Sequence, residues 1–475
     1  MSMHNVASKS RIFKWDTKQG KENDMNIVLL SGGSGKRLWP LSNDVRSKQF
    51  IKIFKNEDGT YESMVQRMYR QIKQLDPSGT ITIATSKTQV SAIHNQLGDS
   101  VGISMEPSRK DTFPAIVLAA AYLRDIALID ENEPVVICPV DPYVEEDYFR
   151  ALESMSEYAR RADANLVLMG VEPTYPSAKY GYIMPKPTVK CEQAAKSSPR
   201  EVCEVESFKE KPTEEAAREY IKKGALWNGG VFAFKLGYVL QKAQELIGFT
   251  DYQDLYDKYE TLQKISFDYA VVEKEEKIQV MRFCGKWKDL GTWNTLTEAM
   301  EEKVIGKGTM NETCQGVHII NEMDVPVLAM GLTDVVISAS QEGILVSDKE
   351  QSSYIKPFVD KIDQQIMFAE KSWGEFRVMD VESESMTVKV TLTKGHTMNY
   401  HSHRSRDEVW VIISGCGTTT VDGMKQRVKA GDVITMSAGC RHTIQADTDT
   451  DLKLIEIQLG NEINVQDKQK FELEY

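Results

Sequence analysis

The stretch Gly32-Gly33-Ser34-Gly35-Lys36-Arg37-Leu38 follows the apolar run Ile27 to Leu30, and Lys48 comes ten residues after its end. A glycine-rich turn at the end of a strand lets backbone N–H groups crowd onto a phosphate, because glycine has no Cβ and tolerates positive φ. Arg37 and Lys48 add positive charge for the same anion. Glycines at such a corner can also serve turn geometry alone. The stretch predicts a strand and a phosphate loop, with Gly32, Gly33, Ser34, Gly35 and Lys36 as nucleotide-binding residues.

Two other phosphate-binding motifs fit this loop poorly. It lacks the Gly-Lys-Ser/Thr ending of a P-loop, so no hydroxyl is placed to hold Mg²⁺. It also lacks the complete G-x-G-x-x-G pattern of a dinucleotide-binding fold. The order G-G-x-G-x-R-L with a later lysine instead resembles the sugar-1-phosphate nucleotidyltransferases. Within that family, the runs from Arg37 to Ser42 and from Lys48 to Phe50 resemble the mannose-1-phosphate guanylyltransferases.

Further motifs of that family follow along the chain in family order. They are Glu106-Pro107, Pro114-Ala115-Ile116, Pro139-Val140-Asp141, Tyr180-Gly181-Tyr182-Ile183, Phe208-Lys209-Glu210-Lys211-Pro212, Trp227-Asn228-Gly229-Gly230, Asp268-Tyr269-Ala270 and Asp289-Leu290-Gly291-Thr292-Trp293. One such motif could arise by chance, whereas a series in the right order points to the family. The chain is therefore identified as a member from its sequence.

The resemblance implies transfer of a nucleotide from GTP to mannose 1-phosphate, giving GDP-mannose and pyrophosphate. Two polyanions meet in this reaction, so catalysis consists mostly of charge neutralisation and alignment. Asp141 and Asp289 offer hard oxygen ligands suited to Mg²⁺. Arg37 and Lys48 are expected to hold the triphosphate and the leaving group. A lone aspartate can also be an N-cap or a turn residue.

For the sugar, the resemblance implies that Glu210 and Asn228 bind ring hydroxyls and that Gly181 lets the backbone approach. A carboxylate can take two neighbouring hydroxyls with charge-assisted hydrogen bonds. Glu210 could equally form a solvated pair with Lys211. Another sugar 1-phosphate or another base is the alternative substrate.

The composition is that of a soluble globular protein. The 475 residues are 41% hydrophobic and 27% charged, and the net charge is −12. This length is too great for a single core, and the acidic balance argues against general nucleic-acid binding. The sequence lacks a signal-peptide pattern or a membrane-spanning run, and its seven dispersed cysteines fit free thiols. We expect a cytoplasmic homo-oligomer without nucleic-acid or membrane partners.

The chain divides into four predicted parts. Residues 1–24 are polar and are predicted to be a flexible extension. Residues 25–300 alternate strand-like and helical patterns, which predicts a Rossmann-like α/β nucleotidyltransferase domain with a mainly parallel sheet and helices on both faces. Residues 301–365 carry closely spaced short strands and predict a β-rich linker domain, either a solenoid or a sandwich. Residues 366–475 predict an all-β cupin barrel.

Two segments of the last part match the cupin signatures in spacing. They are Gly395-x₅-His401-Ser402-His403-x₄-Glu408-x₆-Gly415 and Gly431-x₅-Ser437-Ala438-Gly439-x₂-His442. Alternation along a strand puts His401 and His403 on one face, and the barrel returns Glu408 and His442 to them. Three imidazoles and a carboxylate form a site for Zn²⁺, Mn²⁺, Fe²⁺, Co²⁺ or Ni²⁺, with positions left for a substrate.

The same segment resembles the type II phosphomannose isomerase domain that is fused to guanylyltransferases of this kind. This implies interconversion of mannose 6-phosphate and fructose 6-phosphate. The tail departs from the pattern, because Lys470 stands where the family carries an arginine. Lysine lacks planar, bidentate phosphate recognition, so weak or absent isomerase activity is predicted. A non-catalytic cupin used for assembly or ligand sensing is the alternative.

Overall fold

The structure is a computed structural model. It describes residues 24–33, 36–43, 45–161, 164–186, 202–362, 365–461, 463 and 467–472. Residues 1–23 of the predicted extension and the predicted nucleotide-binding residues Ser34 and Gly35 lie outside the described residues.

The first part of the chain alternates strands and helices. Its strands are β1 (Asn26–Ser31), β2 (Phe54–Lys55), β3 (Tyr61–Glu62), β4 (Thr80–Ser86), β5 (Gly102–Glu106), β6 (Pro134–Pro139), β7 (Pro142–Val144), β8 (Leu166–Val171), β9 (Tyr182–Pro185), β10 (Val202–Lys209), β11 (Leu226–Lys235), β12 (Ile278–Phe283) and β13 (Trp287–Asp289). Its helices are α1 (Met64–Leu75), α2 (Val90–Leu97), α3 (Thr112–Asp125), α4 (Glu146–Arg161), α5 (Glu214–Lys222), α6 (Leu236–Leu246), α7 (Tyr252–Lys258), α8 (Phe267–Ala270) and α9 (Trp293–Ala299).

Nine of these strands form one sheet in the order β5-β4-β1-β6-β11-β8-β12-β10-β9. The strands β5, β4, β1 and β6 are mutually parallel, as the alternating pattern predicts. Beyond them the sheet is mixed, because β11 runs antiparallel to both β6 and β8. After β1 the chain moves to β4 and β5 on one side and then crosses to β6 on the other side of β1, and such a switch point opens a ligand crevice at the carboxyl ends of the strands.

Alternation along the central strand divides the core between the two faces of the sheet. Ile27 and Leu29 face one side, with α1, α2, α4 and α5, while Val28 faces the other side, with α3, α6, α7 and α8. These side chains are at most 1% exposed, so each contributes roughly 1.5–3 kcal/mol through burial. The predicted helices on both faces of the sheet are confirmed.

Helix α3 begins earlier than its apolar pattern predicts. The sequence predicts a helix from Ala115 to Leu128, whereas the structure has one from Thr112 to Asp125. The Asp111 side chain caps the start by accepting from the Thr112 N–H at 2.8 Å. Leu128 lies beyond the end, with a positive φ of 58° and 79% exposure.

The next segment coils between two small sheets. Its elements are β14 (Val304–Gly306), β15 (Gly308–Met310), β16 (His318–Asn321), β17 (Val327–Ala329), β18 (Val335–Ser340), β19 (Gly343–Asp348) and α10 (Lys356–Val359). Alternate strands pair in parallel, β14 with β16 and β18 in one sheet, and β15 with β17 in the other. This pairing is that of a solenoid rather than of a sandwich, and the segment is called the solenoid below.

The last segment is an all-β barrel. Its strands are β20 (Phe368–Lys371), β21 (Gly374–Val381), β22 (Ser385–Leu392), β23 (His401–His403), β24 (Asp407–Ser414), β25 (Cys416–Val421), β26 (Met424–Lys429), β27 (Val433–Met436), β28 (His442–Ala446), β29 (Leu452–Leu459) and β30 (Lys468–Lys470). They form two facing sheets, β20-β21-β22-β29-β24-β27 and β26-β25-β28-β23-β30, around a core that includes the fully buried Trp410. The predicted cupin architecture is confirmed.

The cysteines agree with the sequence expectation at most described positions. Cys138, Cys284, Cys314, Cys416 and Cys440 carry free thiols. Cys203 is disulfide-bonded, which the dispersed spacing did not predict.

Candidate active site and metal centre

A cavity of about 360 Å³ opens where the parallel strands end. Gly32 and Gly33 line it, together with Glu106 at the end of β5 and Asp141 after β6. Neither glycine has a positive φ, and a Cβ on Gly33 would meet no atom of the described residues within 4 Å. The protein itself therefore does not require glycine at Gly33, and the free space is available to a ligand.

Buried amides join the glycine loop to the segment that carries Lys48. Gln49 Nε2 donates to the Ser31 carbonyl oxygen at 3.2 Å. Gln89 Nε2 donates to Ser47 Oγ at 2.6 Å and to the Gly33 carbonyl oxygen at 3.3 Å. Because these groups are buried and paired, the end of β1 and the start of the Lys48 turn hold together as a unit.

Lys48, Asp141 and Asp289 converge at the mouth of the cavity. Lys48 Nζ lies 2.7 Å from Asp141 Oδ2 and 3.5 Å from Asp289 Oδ1. The pairing of β13 with β7 sets Asp289 opposite Pro142, next to Asp141. Burial lowers the pKa of Lys48, but the charges of Asp141 and Asp289 outweigh it and raise the pKa above its usual value. The ammonium is therefore charged and offsets one of the two negative charges that it contacts.

This arrangement fits a divalent cation. Two carboxylates that share a single ammonium supply the hard oxygen donors that Mg²⁺ prefers, and both side chains are more than one-third exposed, at 36% and 38%. The exposed Arg37 lies near enough for its charge to act on the pKa of Lys48. Lys36 instead pairs with Asp360 at 3.6 Å, in the segment that follows the solenoid strands.

The three predicted sugar-binding residues, Gly181, Glu210 and Asn228, come together near the aspartate pair. They are called the sugar-binding residues below. A Cβ on Gly181 would lie 2.4 Å from Glu210 Oε2 and 2.8 Å from Phe208 Cζ, so only glycine fits there. The Asn228 N–H donates to the Gly181 carbonyl oxygen at 2.8 Å. Burial, followed by the charge of Asp289, raises the pKa of Tyr180, which precedes Gly181. The sugar-binding residues and the aspartate pair therefore border the same space.

Asp268 contacts Asn228, one of the sugar-binding residues, and helps to hold it in place. Asn228 Nδ2 donates to Asp268 Oδ1 at 2.7 Å, and Asn228 Oδ1 accepts from the Gly230 N–H at 3.1 Å. Burial and the neighbouring charge of Glu210 raise the pKa of Asp268 to about 7. The Asn228 amide is therefore held at both of its ends.

Four side chains of the barrel form a second, buried cluster. One ligand atom from each of His401, His403, Glu408 and His442 lies within 4.8 Å of the others. The residues come from β23, β24 and β28, and His401 stands directly opposite His442 in the ladder. The sequence prediction that these residues converge is correct.

The chemistry of the cluster fits a transition metal. His401 Nδ1 lies 2.6 Å from the Asn399 carbonyl oxygen and His442 Nδ1 lies 3.1 Å from that of Cys440, which leaves Nε2 of each ring as the metal-binding atom. Burial, then the charges of Lys468 and His442, lowers the pKa of His401 to about 2, so the imidazole is neutral. Glu408 Oε2 and His442 Nε2 are buried and lie 3.2 Å from each other, with no hydrogen bond to any other described group. A cation between them would be bound by both atoms.

A cavity of about 630 Å³ lies beside this cluster. Its wall includes His401 and Arg406, and most of the remaining surface is apolar, with Trp373, Phe376 and Met398 among the lining residues. The strand β30 pairs with β23 so that Lys468 stands opposite His403 and Lys470 opposite His401. Lys371 and Lys468 line the cavity, whereas Lys470 is exposed.

Comparison with known proteins agrees with the two-part architecture of the chain. Residues 26–304 match the nucleotidyl transferase family, and residues 360–473 match the C-terminal domain of mannose-6-phosphate isomerase. The chain belongs to the nucleotidyl transferase family. The predicted family resemblance is confirmed, because the first match covers more than half of the chain.

Relatives extend the similarity over almost the whole length. A mannose-1-phosphate guanylyltransferase of Salmonella montevideo is 26% identical over 94% of this chain and 98% of that protein. The alginate biosynthesis protein AlgA of Pseudomonas putida is 26% identical over 94% of this chain and 95% of its own. A crystal structure from Thermus thermophilus, described as a mannose-1-phosphate geranyltransferase, gives a TM-score of 0.58 at 27% identity and covers 71% of this chain and 99% of that one.

Several residues of the nucleotidyl transferase site were missed by sequence reasoning. Arg109 and Lys264 line the cavity and add positive charge to it. Glu106 accepts from the Tyr259 hydroxyl at 2.6 Å, and burial raises the pKa of this carboxyl. Asp268 belonged to a recognised motif, which could have marked it, whereas no local pattern marks Lys264.

None of the helices in the described residues combines the length and the apolar character needed to cross a bilayer.

Proposed function

We propose that the chain is a mannose-1-phosphate guanylyltransferase, which makes GDP-mannose and pyrophosphate from GTP and mannose 1-phosphate. This proposal rests on three residues, Lys48, Asp141 and Asp289, which converge between the glycine-loop cavity and the sugar-binding residues. The names of the full-length relatives support the choice of base and sugar. Another sugar 1-phosphate or base remains the alternative to be tested.

On the nucleotide side, the loop of Gly32, Gly33, Ser34, Gly35 and Lys36 receives the phosphates of GTP. Arg37 and Lys48 contribute charge to the triphosphate and to the departing pyrophosphate. Lys48 must release its carboxylates for this, because its ammonium now lies against both Asp141 and Asp289. Mg²⁺ held by the two aspartates would neutralise the charge that develops on the phosphates.

On the sugar side, Glu210 and Asn228 bind hydroxyls of mannose 1-phosphate. Lys211 Nζ lies 2.8 Å from Glu210 Oε1, and the other carboxylate oxygen, Oε2, faces Gly181. The space above Gly181 is therefore where a ring hydroxyl can reach Oε2. Because Asn228 is held by Asp268 and Gly230, its orientation is fixed before the sugar arrives.

The test is a panel of nucleoside triphosphates against mannose 1-phosphate and other hexose 1-phosphates, with pyrophosphate release as the readout. We expect release with GTP and mannose 1-phosphate to exceed that of every other pair. A higher kcat/KM for another pair would replace the proposed substrates. Absence of release with all pairs would contradict nucleotidyl transfer itself.

For the barrel we propose a bound divalent transition metal, Zn²⁺, Mn²⁺, Fe²⁺, Co²⁺ or Ni²⁺, with His401, His403, Glu408 and His442 as ligands. Isomerisation of mannose 6-phosphate and fructose 6-phosphate is the second candidate function, favoured by a 630 Å³ cavity that borders the cluster and carries Lys371 and Lys468. A coupled assay with mannose 6-phosphate tests it. Conversion that disappears with a chelator supports an isomerase, and no conversion favours assembly or ligand sensing.

We propose the domain division 1–24, 25–300, 301–365 and 366–475, with the cytoplasm as the location and a homo-oligomer as the assembly. Five of the six described cysteines carry free thiols, which supports a reducing compartment, whereas the disulfide at Cys203 argues against it. Ile344 and Val346, each 64% exposed on the outer solenoid strand β19, support self-association. Light scattering of the purified chain would test the assembly.

A further inference from the structure

A buried ion pair ties the segment that carries Lys48 to the solenoid. Arg46 is 8% exposed, and its Nη1 and Nη2 donate to Glu322 Oε2 and Oε1 at 2.8 and 2.9 Å. Burial alone would lower the pKa of Arg46, but the charge and hydrogen bonds of Glu322 raise it, so the guanidinium remains charged. A bidentate pair of this kind fixes orientation as well as distance. Glu322 therefore determines where the backbone lies two residues before Lys48.

Other solenoid contacts hold the same segment upstream. Asn43 Nδ2 donates to Glu342 Oε1 at 2.8 Å, and Asn43 Oδ1 accepts from the Arg46 N–H at 2.6 Å. Ser340 Oγ donates to the Pro40 carbonyl oxygen at 2.7 Å. Pro40, Asn43 and Arg46 are therefore each held by a part of the chain 276 to 300 positions away.

The barrel supports the pair from the opposite side. The Phe368 ring lies between two guanidinium groups, 4.9 Å from that of Arg46 and 5.5 Å from that of Arg377. Arg377 Nη1 also donates to the Glu322 carbonyl oxygen at 3.1 Å. Both β20 and β21 therefore border the Arg46–Glu322 pair, and removal of this pair is expected to loosen the Lys48 segment.

We propose that Arg46, held by Glu322, is a positioning residue for nucleotidyl transfer, which places Lys48 between Asp141 and Asp289. The inference rests on the proposed transferase function. Lys48 begins a single short turn, Lys48–Phe50, whose N-cap residue Ser47 makes no side-chain capping hydrogen bond. Its position thus depends on side-chain contacts, and misplacement by about 1 Å can cost about a hundredfold in rate.

The experiment compares Arg46→Gln and Glu322→Gln in the full-length protein. Arg282→Gln is the matched control, because it removes another arginine–glutamate pair, with Glu172 at 2.9 Å, on β12. The readouts are kcat, the KM of GTP and of mannose 1-phosphate, and the rate at which Lys48 is acetylated by an N-hydroxysuccinimide ester, followed by peptide mass spectrometry. The labelling is measured without substrates.

We expect both variants to lower kcat about tenfold, to change each KM less than about threefold, and to speed labelling of Lys48 several-fold. The double variant Arg46→Glu with Glu322→Arg should recover most of the lost kcat, and Arg46→Lys should be intermediate because lysine cannot form the bidentate pair. Arg282→Gln should match the wild type in every readout.

Wild-type kcat and labelling in Glu322→Gln would overturn the inference, as would a loss of kcat without faster labelling of Lys48. Glu322→Gln decides the matter if Arg46→Gln does not fold, because the Glu322 side chain is 29% exposed and glutamine keeps its shape. A wild-type protein without transferase activity would contradict the proposed function, while the labelling rates would still judge the positioning of Lys48.

Discussion

The transferase site and the barrel site both combine carboxylates with nitrogen bases, but they differ in exposure. The Asp141 and Asp289 side chains are 36% and 38% exposed and share the ammonium of Lys48. Glu408 and the histidines around it are at most 3% exposed. The first site keeps its charges partly neutralised by a group that can move away, whereas the second gathers four buried ligand atoms within 4.8 Å of one another, a spacing that suits a bound ion.

This difference indicates two kinds of metal use. Open carboxylates with an exchangeable ammonium suit a cation that arrives and leaves with phosphates. Imidazoles whose Nδ1 atoms lie against backbone carbonyls suit a resident ion. The comparison therefore predicts large kinetic effects at the first site and large effects on metal content at the second.

The largest expected effect is at the aspartate pair. Asp141→Asn and Asp289→Asn should each lower nucleotidyl transfer by about three orders of magnitude, since a cation at phosphates contributes several kcal/mol to the transition state. Steady-state kinetics across a Mg²⁺ titration measures this, with the exposed Asp257→Asn as control. Near-normal turnover with unchanged Mg²⁺ dependence would mean that the two aspartates do not hold the catalytic cation.

Two glycine variants test whether the transferase site, the open site of this comparison, has separate sugar and nucleotide sides. Gly181→Ala should raise the KM of mannose 1-phosphate about a hundredfold, because the new Cβ would lie 2.4 Å from Glu210 Oε2. Gly33→Ala should instead raise the KM of GTP while leaving thermal stability unchanged, since its Cβ meets no atom of the described residues within 4 Å. Melting curves and both KM values separate the outcomes. If the two variants behaved alike, the assignment of separate sugar and nucleotide sides would be wrong.

Metal content tests the buried site directly. Purified protein should carry about one transition-metal ion per chain, and the double variant His401→Ala with His403→Ala should carry almost none. His396→Ala is the control, because His396 is exposed and lies outside the cluster. Elemental analysis measures the content, and a coupled assay should find isomerase activity weak or absent. Rapid metal-dependent conversion of mannose 6-phosphate would show that Lys470 does not impair isomerisation.

Local patterns account for what the sequence could predict. The glycine loop after β1 and Asp141 after β6 follow from the rule that parallel strands end at one edge of a sheet. The barrel ligands follow from alternation along β23 and from a motif that spans only residues 401–442.

Long-range partners account for what it could not. Lys48 and Asp289 are 241 residues apart, and no local spacing predicts that one ammonium is shared with Asp141. The antiparallel insertion of β11 likewise depends on pairing partners rather than on its own apolar pattern. In the tail, Lys468 lines the cavity whereas Lys470 is exposed, and no local pattern separates two lysines on the same face of one strand.

The smallest expected effect concerns Asp268, a carboxyl that holds Asn228 in place and has no metal role. Its pKa is about 7 in the folded protein and near 3.8 when unfolded, because burial and the charge of Glu210 disfavour the carboxylate. The folded state therefore holds a proton that the unfolded state releases. The stabilisation is fully present below about pH 4 and is lost as the pH rises through about 7.

Asp268→Asn keeps the acceptor for Asn228 Nδ2 but cannot ionise. Relative to this variant, the wild type should lose free energy of unfolding between about pH 5 and pH 8, as measured by urea denaturation at both values. Asp257→Asn, on an exposed position, should follow the wild type at both pH values. Parallel stability curves for wild type and Asp268→Asn would mean that Asp268 is ionised throughout.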